Sequence, residues 1–290
     1  MSDAPSTLLG PAEIRDLADL LGIQPTKKLG QNFVHDGNTV RRIVAASKVA
    51  AGMDVVEIGP GLGSLTLGLL EKGAKVVAVE IDKRLAEQLP ATVSLLQPEA
   101  DLTVVVADAM KVTRLPSEPT HLVANLPYNI SVPVLLHFLE HFPSLTRGLV
   151  MVQAEVGLRI AATPGSKVYG SPSIKAAWYG VWSTAGQVSR QVFWPVPNVD
   201  SILVAYDRRE PKGTEAERRV VFELVDAAFQ QRRKMLRQSL SAVFGTSGAA
   251  SEAIEAAGLQ ATSRGEELTV DDFLAIARVR LASSPGDTAE

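Results

Sequence analysis

From residue 53 onward the chain alternates short β-rich runs with helical stretches, and this alternation limits the fold more than any other feature. Val55-Val56-Glu57-Ile58, Lys75 to Val79, Leu102–Ala107, His121–Ala124 and Gly148–Val152 are the strand candidates. Parallel neighbours need long crossovers, and a helix is the usual one, so the pattern predicts a doubly wound, mostly parallel α/β sheet. Two further strands, joined through Phe193-Trp194-Pro195-Val196-Pro197, are expected to end the sheet as an antiparallel addition. Past Glu210-Pro211-Lys212-Gly213 the strand signals stop and the remainder reads as helices. The expected organisation is therefore an α/β domain over 1–209 and a smaller all-α domain over 210–290.

The first strand ends in Gly59-Pro60-Gly61-Leu62-Gly63, and a helical stretch runs from Ser64 to Gly73. Glycines there allow a tight turn and let a ligand approach the backbone and the helix N-terminus. Glu80, 21 residues after Gly59, closes the second strand where an acid can grip the two hydroxyls of a ribose. Together these features specify an adenosine-type ligand, and a nicotinamide cofactor fits them as well as S-adenosylmethionine. Three details favour S-adenosylmethionine and a Rossmann-like methyltransferase fold. The glycine spacing is tighter than the dinucleotide fingerprint. Asp108-Ala109 follows the third strand, placed to meet an adenine edge. The fourth strand delivers Asn125-Leu126-Pro127-Tyr128-Asn129-Ile130, for which a hydride-transfer enzyme has no use.

That stretch suits a planar amine attached to a ring. The exocyclic nitrogen of adenine is a poor nucleophile because its lone pair is delocalised. Two acceptors holding its two N–H groups draw it toward tetrahedral geometry. Asn125 offers a side-chain carbonyl, and backbone carbonyls around Pro127 are free acceptors. Tyr128 supplies a flat face for stacking. The same residue types also make an ordinary strand-to-helix turn. Methyl transfer from a sulfonium needs positioning more than acid–base chemistry, which agrees with four histidines and no evident dyad. Unstacking a base costs a few kcal/mol and one aromatic platform returns about 1–3 kcal/mol, so a second ring is expected. Energetics alone leave Phe193 and Trp194 both open for it.

Other classes are bounded by composition. There is no cysteine, which removes disulfides, thiolate catalysis and Cys-ligated zinc. His137, Glu140 and His141 have a metalloprotease-like spacing, but an amphipathic helix over Val134 to Phe142 with no third ligand explains them better. Residues 119–139 carry no charge, yet Asn125, Pro127, Asn129, Ser131 and Pro133 argue against a membrane span. Met1 to Leu20 lacks a basic-apolar signal pattern, so a cytoplasmic location is expected. Nothing suggests an obligate dimer. The net charge of −3 argues against nucleic acid, but local clustering overrides a net value. Residues 229–240 carry Arg232, Arg233, Lys234 and Arg237 with no acid. Such a basic helix is a solvated face or, beside a base-modifying site, a phosphate grip. Lys27-Lys28 form a smaller basic pair in a stretch read as an ordered loop. Residues 1–10 read as a loose tail, Pro11 to Leu21 and the stretch after the Asp36 N-cap as helices, and Val270 to Leu281 as the last helix. Trp178, Tyr179 and Trp182 read as packing residues.

Five pieces in this order and spacing resemble the small-subunit ribosomal RNA adenine N6,N6-dimethyltransferases, relatives of the macrolide-resistance rRNA methyltransferases. They are Lys-Lys-Leu-Gly-Gln-Asn-Phe (27–33), Glu-Ile-Gly-Pro-Gly-Leu-Gly-Ser-Leu-Thr (57–66), Asn-Leu-Pro-Tyr-Asn-Ile (125–130), Phe-Trp-Pro-Val-Pro-Asn-Val-Asp-Ser (193–201) and residues 228–240. The resemblance implies S-adenosylmethionine contacts at Asn32, Val34, Gly59, Glu80, Asp108 and Asn125. It implies Asn125 and Tyr128 as the catalytic grip and Phe193, rather than Trp194, as the second ring. Lys27, Lys28, Arg232, Arg233, Lys234 and Arg237 become the RNA contacts. The implied reaction is dimethylation of two adjacent adenines in the terminal hairpin loop of 16S rRNA, within an immature 30S subunit. Val34 in place of Leu and Ala107 in place of Gly depart from the pattern, and both leave backbone contacts open. Alternatives are an assembly factor acting mainly by binding the subunit, a resistance-type large-subunit enzyme, and an NAD-dependent oxidoreductase.

Overall fold

The computed structural model describes residues 7–23 and 32–283. Its strands are β1 (Phe33–Val34), β2 (Asp54–Ile58), β3 (Lys75–Glu80), β4 (Leu102–Val106), β5 (His121–Asn125), β6 (Arg147–Gln153), β7 (Gly180–Val188), β8 (Phe193–Trp194) and β9 (Ser201–Arg208). Seven form one sheet in the order β4-β3-β2-β5-β6-β9-β7, and β1 pairs with β8 separately. The run β4 to β6 is parallel, and β9 joins β6 antiparallel from Arg147↔Asp207 to Gln153↔Ser201. Strand order reverses between β2 and β5, which opens a crevice beyond their C-terminal ends, the place where such sheets bind ligands.

The central strands are apolar on both faces because helices cover both. Val55, Val56 and Val123 are fully buried, and burying a side chain of this size contributes about 1.5–3 kcal/mol. The helix Ser64–Glu71 is apolar nearly all round, and every residue from Ser64 to Leu70 is buried. It lies between the sheet and the helix Gly37–Ser47, whose Val40 sits where a side chain on Gly68 would have to go. Asp36 caps that second helix, its Oδ1 accepting from the Thr39 N–H at 2.6 Å. The Thr39 side chain, and then its backbone N–H, hold the Asp36 carboxyl below its usual range.

The described residues fall into two compact units, one within Met1–Gly157 and Ser183–Arg208, the other within Leu158–Trp182 and Arg209–Glu290. This division differs from a single cut at 209, because Leu158–Trp182 packs with the C-terminal helices. The Tyr169 hydroxyl donates to the Leu268 carbonyl at 2.8 Å, and Lys175 pairs with Asp226 at 2.6 Å. Trp178 and Tyr179 meet Phe222 edge-on. Ser171 opens the helix Ser171–Tyr179, which supplies this packing face.

Two further expectations are corrected. Residues 7–10 are not a loose tail: Leu8 and Leu9 are buried in the core, and the Thr7 hydroxyl donates to Glu71 at 2.6 Å. Residues 1–6 and 284–290 lie outside the described residues. The basic stretch 229–240 is not one helix. Glu215–Gln230 ends, a turn follows, and Leu236–Ser239 is a separate short helix. The amides of Leu236 and Arg237 donate to the carbonyls of Ser263 and Ala261, at 2.7 and 3.2 Å, instead of continuing the helical ladder. No helix among the described residues is long and apolar enough to cross a membrane.

Candidate active site

A cavity of about 350 Å³ opens beyond the C-terminal ends of β2, β3 and β5, within the first unit. The turn after β2 shapes its floor, with Gly59, Gly61 and Gly63 at φ of 67°, 59° and 95°. Only glycine adopts such values freely. A Cβ on Gly61 would also come within 2.8 Å of the Phe33 ring, so the cradle is closed to any side chain there.

Two carboxyl groups meet at this floor. Glu80 ends β3, and its Oε2 accepts from the Gly61 N–H at 3.1 Å while Oε1 accepts from the Asp82 N–H at 2.9 Å. Burial pushes its carboxyl up, and these backbone donors pull it back. Each oxygen keeps a further lone pair, which suits the paired hydroxyls of a ribose. Glu57 on β2 is fully buried, and burial pushes it up to about 8 despite the 2.6 Å bond donated by the Thr66 hydroxyl. Glu57 is therefore neutral near pH 7.

On the opposite wall, β5 ends at Asn125, whose Nδ2 donates to the Asn32 carbonyl at 3.1 Å. That bond takes one of the two Nδ2 hydrogens and orients the amide of this cavity-lining residue, whose Oδ1 is an acceptor. The Leu126 N–H donates to the Met151 carbonyl at 3.0 Å, anchoring the chain before it turns through Pro127 and Tyr128 into the helix Ser131–His141. Asp108 caps the short turn Ala109–Lys111 through one oxygen, bonded to the Met110 N–H at 3.0 Å, with its second oxygen unused by that cap.

Asn32, Val34, Gly59, Glu80, Asp108, Asn125 and Tyr128 all line this one cavity. Phe193 does not. It is 1% exposed, packed in the core and paired with Val34 across β8 and β1. Trp194 instead stacks on Phe33 at 6.4 Å between ring centroids. Lys27 and Lys28 lie outside the described residues. Of the basic stretch, Arg233 and Lys234 are exposed, whereas Arg232 is bound by Glu266 at 2.7 Å and the Lys167 carbonyl at 2.8 Å. His137 Nε2 lies 2.8 Å from the Val112 carbonyl and His141 Nδ1 2.9 Å from the His137 carbonyl, so one nitrogen of each ring serves packing.

Sequence reading missed Phe33 and Ile81 as cavity-lining residues. Ile81 had a signal, since it directly follows the strand-end acid; in the structure it is exposed at the cavity. Its apolar side chain suits the face of a flat ring. Phe33 had none beyond being a lone aromatic in a polar stretch.

The glycine turn, Glu80 at the end of β3 and Asp108 after β4 line one cavity that fits S-adenosylmethionine, and with this sheet the chain is an S-adenosylmethionine-dependent methyltransferase. Comparison narrows the class. Residues 23–280 match the family model described as "Ribosomal RNA adenine dimethylase". The chain is 69% identical over 274 residues to the "Ribosomal RNA small subunit methyltransferase A" of Leifsonia xyli subsp. xyli, covering 93% of this chain and 98% of that one. It is 60% identical to the protein of the same name from Streptomyces griseus, covering 95% and 96%. Among solved structures, the 23S rRNA methyltransferase ErmE aligns at 26% identity and TM-score 0.64, covering 86% of this chain and 99% of that one. A dimethyladenosine transferase from Plasmodium falciparum shares the fold at TM-score 0.71 and 24% identity, covering 84% and 95%. The chain belongs to the ribosomal RNA adenine dimethylase family. The oxidoreductase alternative is thereby set aside.

Proposed function

We propose that the protein dimethylates N6 of two adjacent adenines in the 3′-terminal hairpin loop of 16S rRNA, on the immature 30S subunit, in the cytoplasm and as a monomer. The observation that carries this reading is the Asn125 side chain: its Nδ2 is anchored on the Asn32 carbonyl, and the residue lines the cavity that Glu80 and Asp108 also line, where its Oδ1 can accept. A small-subunit substrate is favoured over a large-subunit one by the names and high identity of the curated relatives against the 26% of ErmE. An unstacked loop is also the form of RNA that lets a base leave its stack.

S-adenosylmethionine, when bound, supplies an electrophilic methyl on a positively charged sulfur that departs as a neutral thioether. The chain's residues do the rest by position. Glu80 accepts from the ribose hydroxyls, Asp108 meets the cofactor's adenine edge, and Asn32, Val34 and Gly59 complete the pocket. For the first transfer Asn125 Oδ1 and a backbone carbonyl at Leu126–Pro127 accept from the two N–H groups of the target amine, which turns its lone pair outward. The N–C bond forms as the S–C bond breaks and the amine releases a proton to water. For the second transfer the one remaining N–H keeps one of these acceptors. Tyr128 stacks on the base. Phe193, buried in the core, supplies the second ring only if it turns outward. Arg233, Lys234 and Arg237, with Lys27 and Lys28, grip phosphates, and Arg232 contributes only by giving up Glu266.

Incubation with methyl-labelled S-adenosylmethionine and unmethylated 30S particles tests this directly. The expected product is N6,N6-dimethyladenosine in 16S rRNA. Absence of label from that RNA, or preferential labelling of 50S particles supplied in parallel, would overturn it.

A further inference from the structure

Tyr128 stands on the turn after β5, yet its hydroxyl is tied elsewhere, 2.9 Å from Oγ of Ser201. Ser201 is the fully buried first residue of β9, in register with Gln153 of β6. Its neighbour Asp200 is fixed twice: the carbonyl accepts from the Ala154 N–H at 3.0 Å and Oδ1 accepts from the Arg190 N–H at 3.1 Å. The backbone that carries the Ser201 hydroxyl is thus fixed by the β6–β9 pairing, so the hydroxyl leaves Tyr128 only by changing rotamer. Burial pushes the Tyr128 phenol up, and the Asp200 carboxylate adds to this, so the hydroxyl keeps its proton at neutral pH. A tyrosine ring has two soft torsions, and a bond at its tip to a rigid strand restrains both. The nearby Ser131 hydroxyl meets only the Tyr128 carbonyl, at 3.5 Å, and does not hold the ring.

We infer that Ser201 is a positioning residue for the target base, holding the Tyr128 ring at the angle on which the flipped adenine stacks. The inference rests on the reading of Tyr128 as that stacking face. Preorganising the ring removes rotamer freedom that would otherwise be lost when the base arrives. A buried serine that merely satisfies a buried phenol is the competing explanation, and it predicts effects on stability without effects on turnover.

Ser201→Ala and Tyr128→Phe remove the same bond from its two ends, the second at a half-buried site that leaves the strand untouched. Each is expected to lower kcat on 30S particles by about three- to tenfold, the range one hydrogen bond covers. The cofactor Kd by calorimetry should stay unchanged, and Ser201→Thr, which keeps the hydroxyl, should restore turnover. The double variant should be no slower than the slower single one, because both delete one interaction. Tyr128→Leu separates the two layers. Full activity in Tyr128→Leu would remove the stacking reading itself. Inactive Tyr128→Leu beside wild-type kcat in Tyr128→Phe, or a double variant showing the product of the two single losses, would overturn the role of Ser201 alone.

Discussion

Asn125 donates one amide N–H to the Asn32 carbonyl, and the whole proposed chemistry depends on its Oδ1 acting as an acceptor. Asn125→Ala is therefore expected to lower kcat about 100-fold or more, the scale seen when one preorganised polar partner of a reacting group is lost. Calorimetric cofactor affinity should change little by comparison, since Glu80, Asp108 and the glycine turn remain. Glu57 presents a different single-residue test. Its carboxyl is held up to about 8 by burial, so the folded protein binds this proton more tightly than the unfolded chain does. Stability from this group is complete below the unfolded value and is lost as pH rises through about 8. A series of melting curves from acidic to mildly alkaline pH should show Tm falling for the native protein, and Glu57→Gln should flatten that slope.

The glycine turn and the strand-end acid work as one element. Gly61 sits at φ 59°, its N–H holds Glu80, and its missing side chain admits the Phe33 ring. Gly61→Ala is expected to cost about 1–2 kcal/mol from the left-handed backbone alone, measurable by denaturant unfolding, with a weaker cofactor Kd because Glu80 and Phe33 must both shift. Element boundaries were legible where local chemistry marked them. Asp36 announces a helix start, Gly59 and Gly73 bracket the helix between them, and the valine-rich runs give the parallel strands. The break inside 229–240 carries no such mark. That stretch has neither Gly nor Pro, and the helix stops there because Leu236 and Arg237 find acceptors on residues 261–263 instead. Ser201 closes the 193–201 piece, but its bond to Tyr128 was equally silent, since the two are 73 residues apart in the chain.

For the molecule as a whole, binding RNA with a net charge of −3 requires that cations be concentrated and acids spent elsewhere. The second unit does this with ion pairs such as Lys212–Asp271 and Arg280–Glu223, while Arg233 and Lys234 remain exposed. Arg233→Glu with Lys234→Glu should weaken 30S binding and reduce the slope of log affinity against log salt by about one for each phosphate no longer gripped. Cofactor binding in the first unit should be unaffected; an unchanged salt slope would remove these residues from the RNA surface. The chain by itself determined the strand order's raw material, the cofactor turn, the two acids and the asparagine, because each is written in residues adjacent along the backbone. Only tertiary structure decided which way the asparagine amide faces, that Phe193 lies in the core, that Leu158–Trp182 belongs with the C-terminal helices, and that Tyr128 is held by a serine on a distant strand. These depend on long-range hydrogen bonds and packing, whose partners no local pattern encodes.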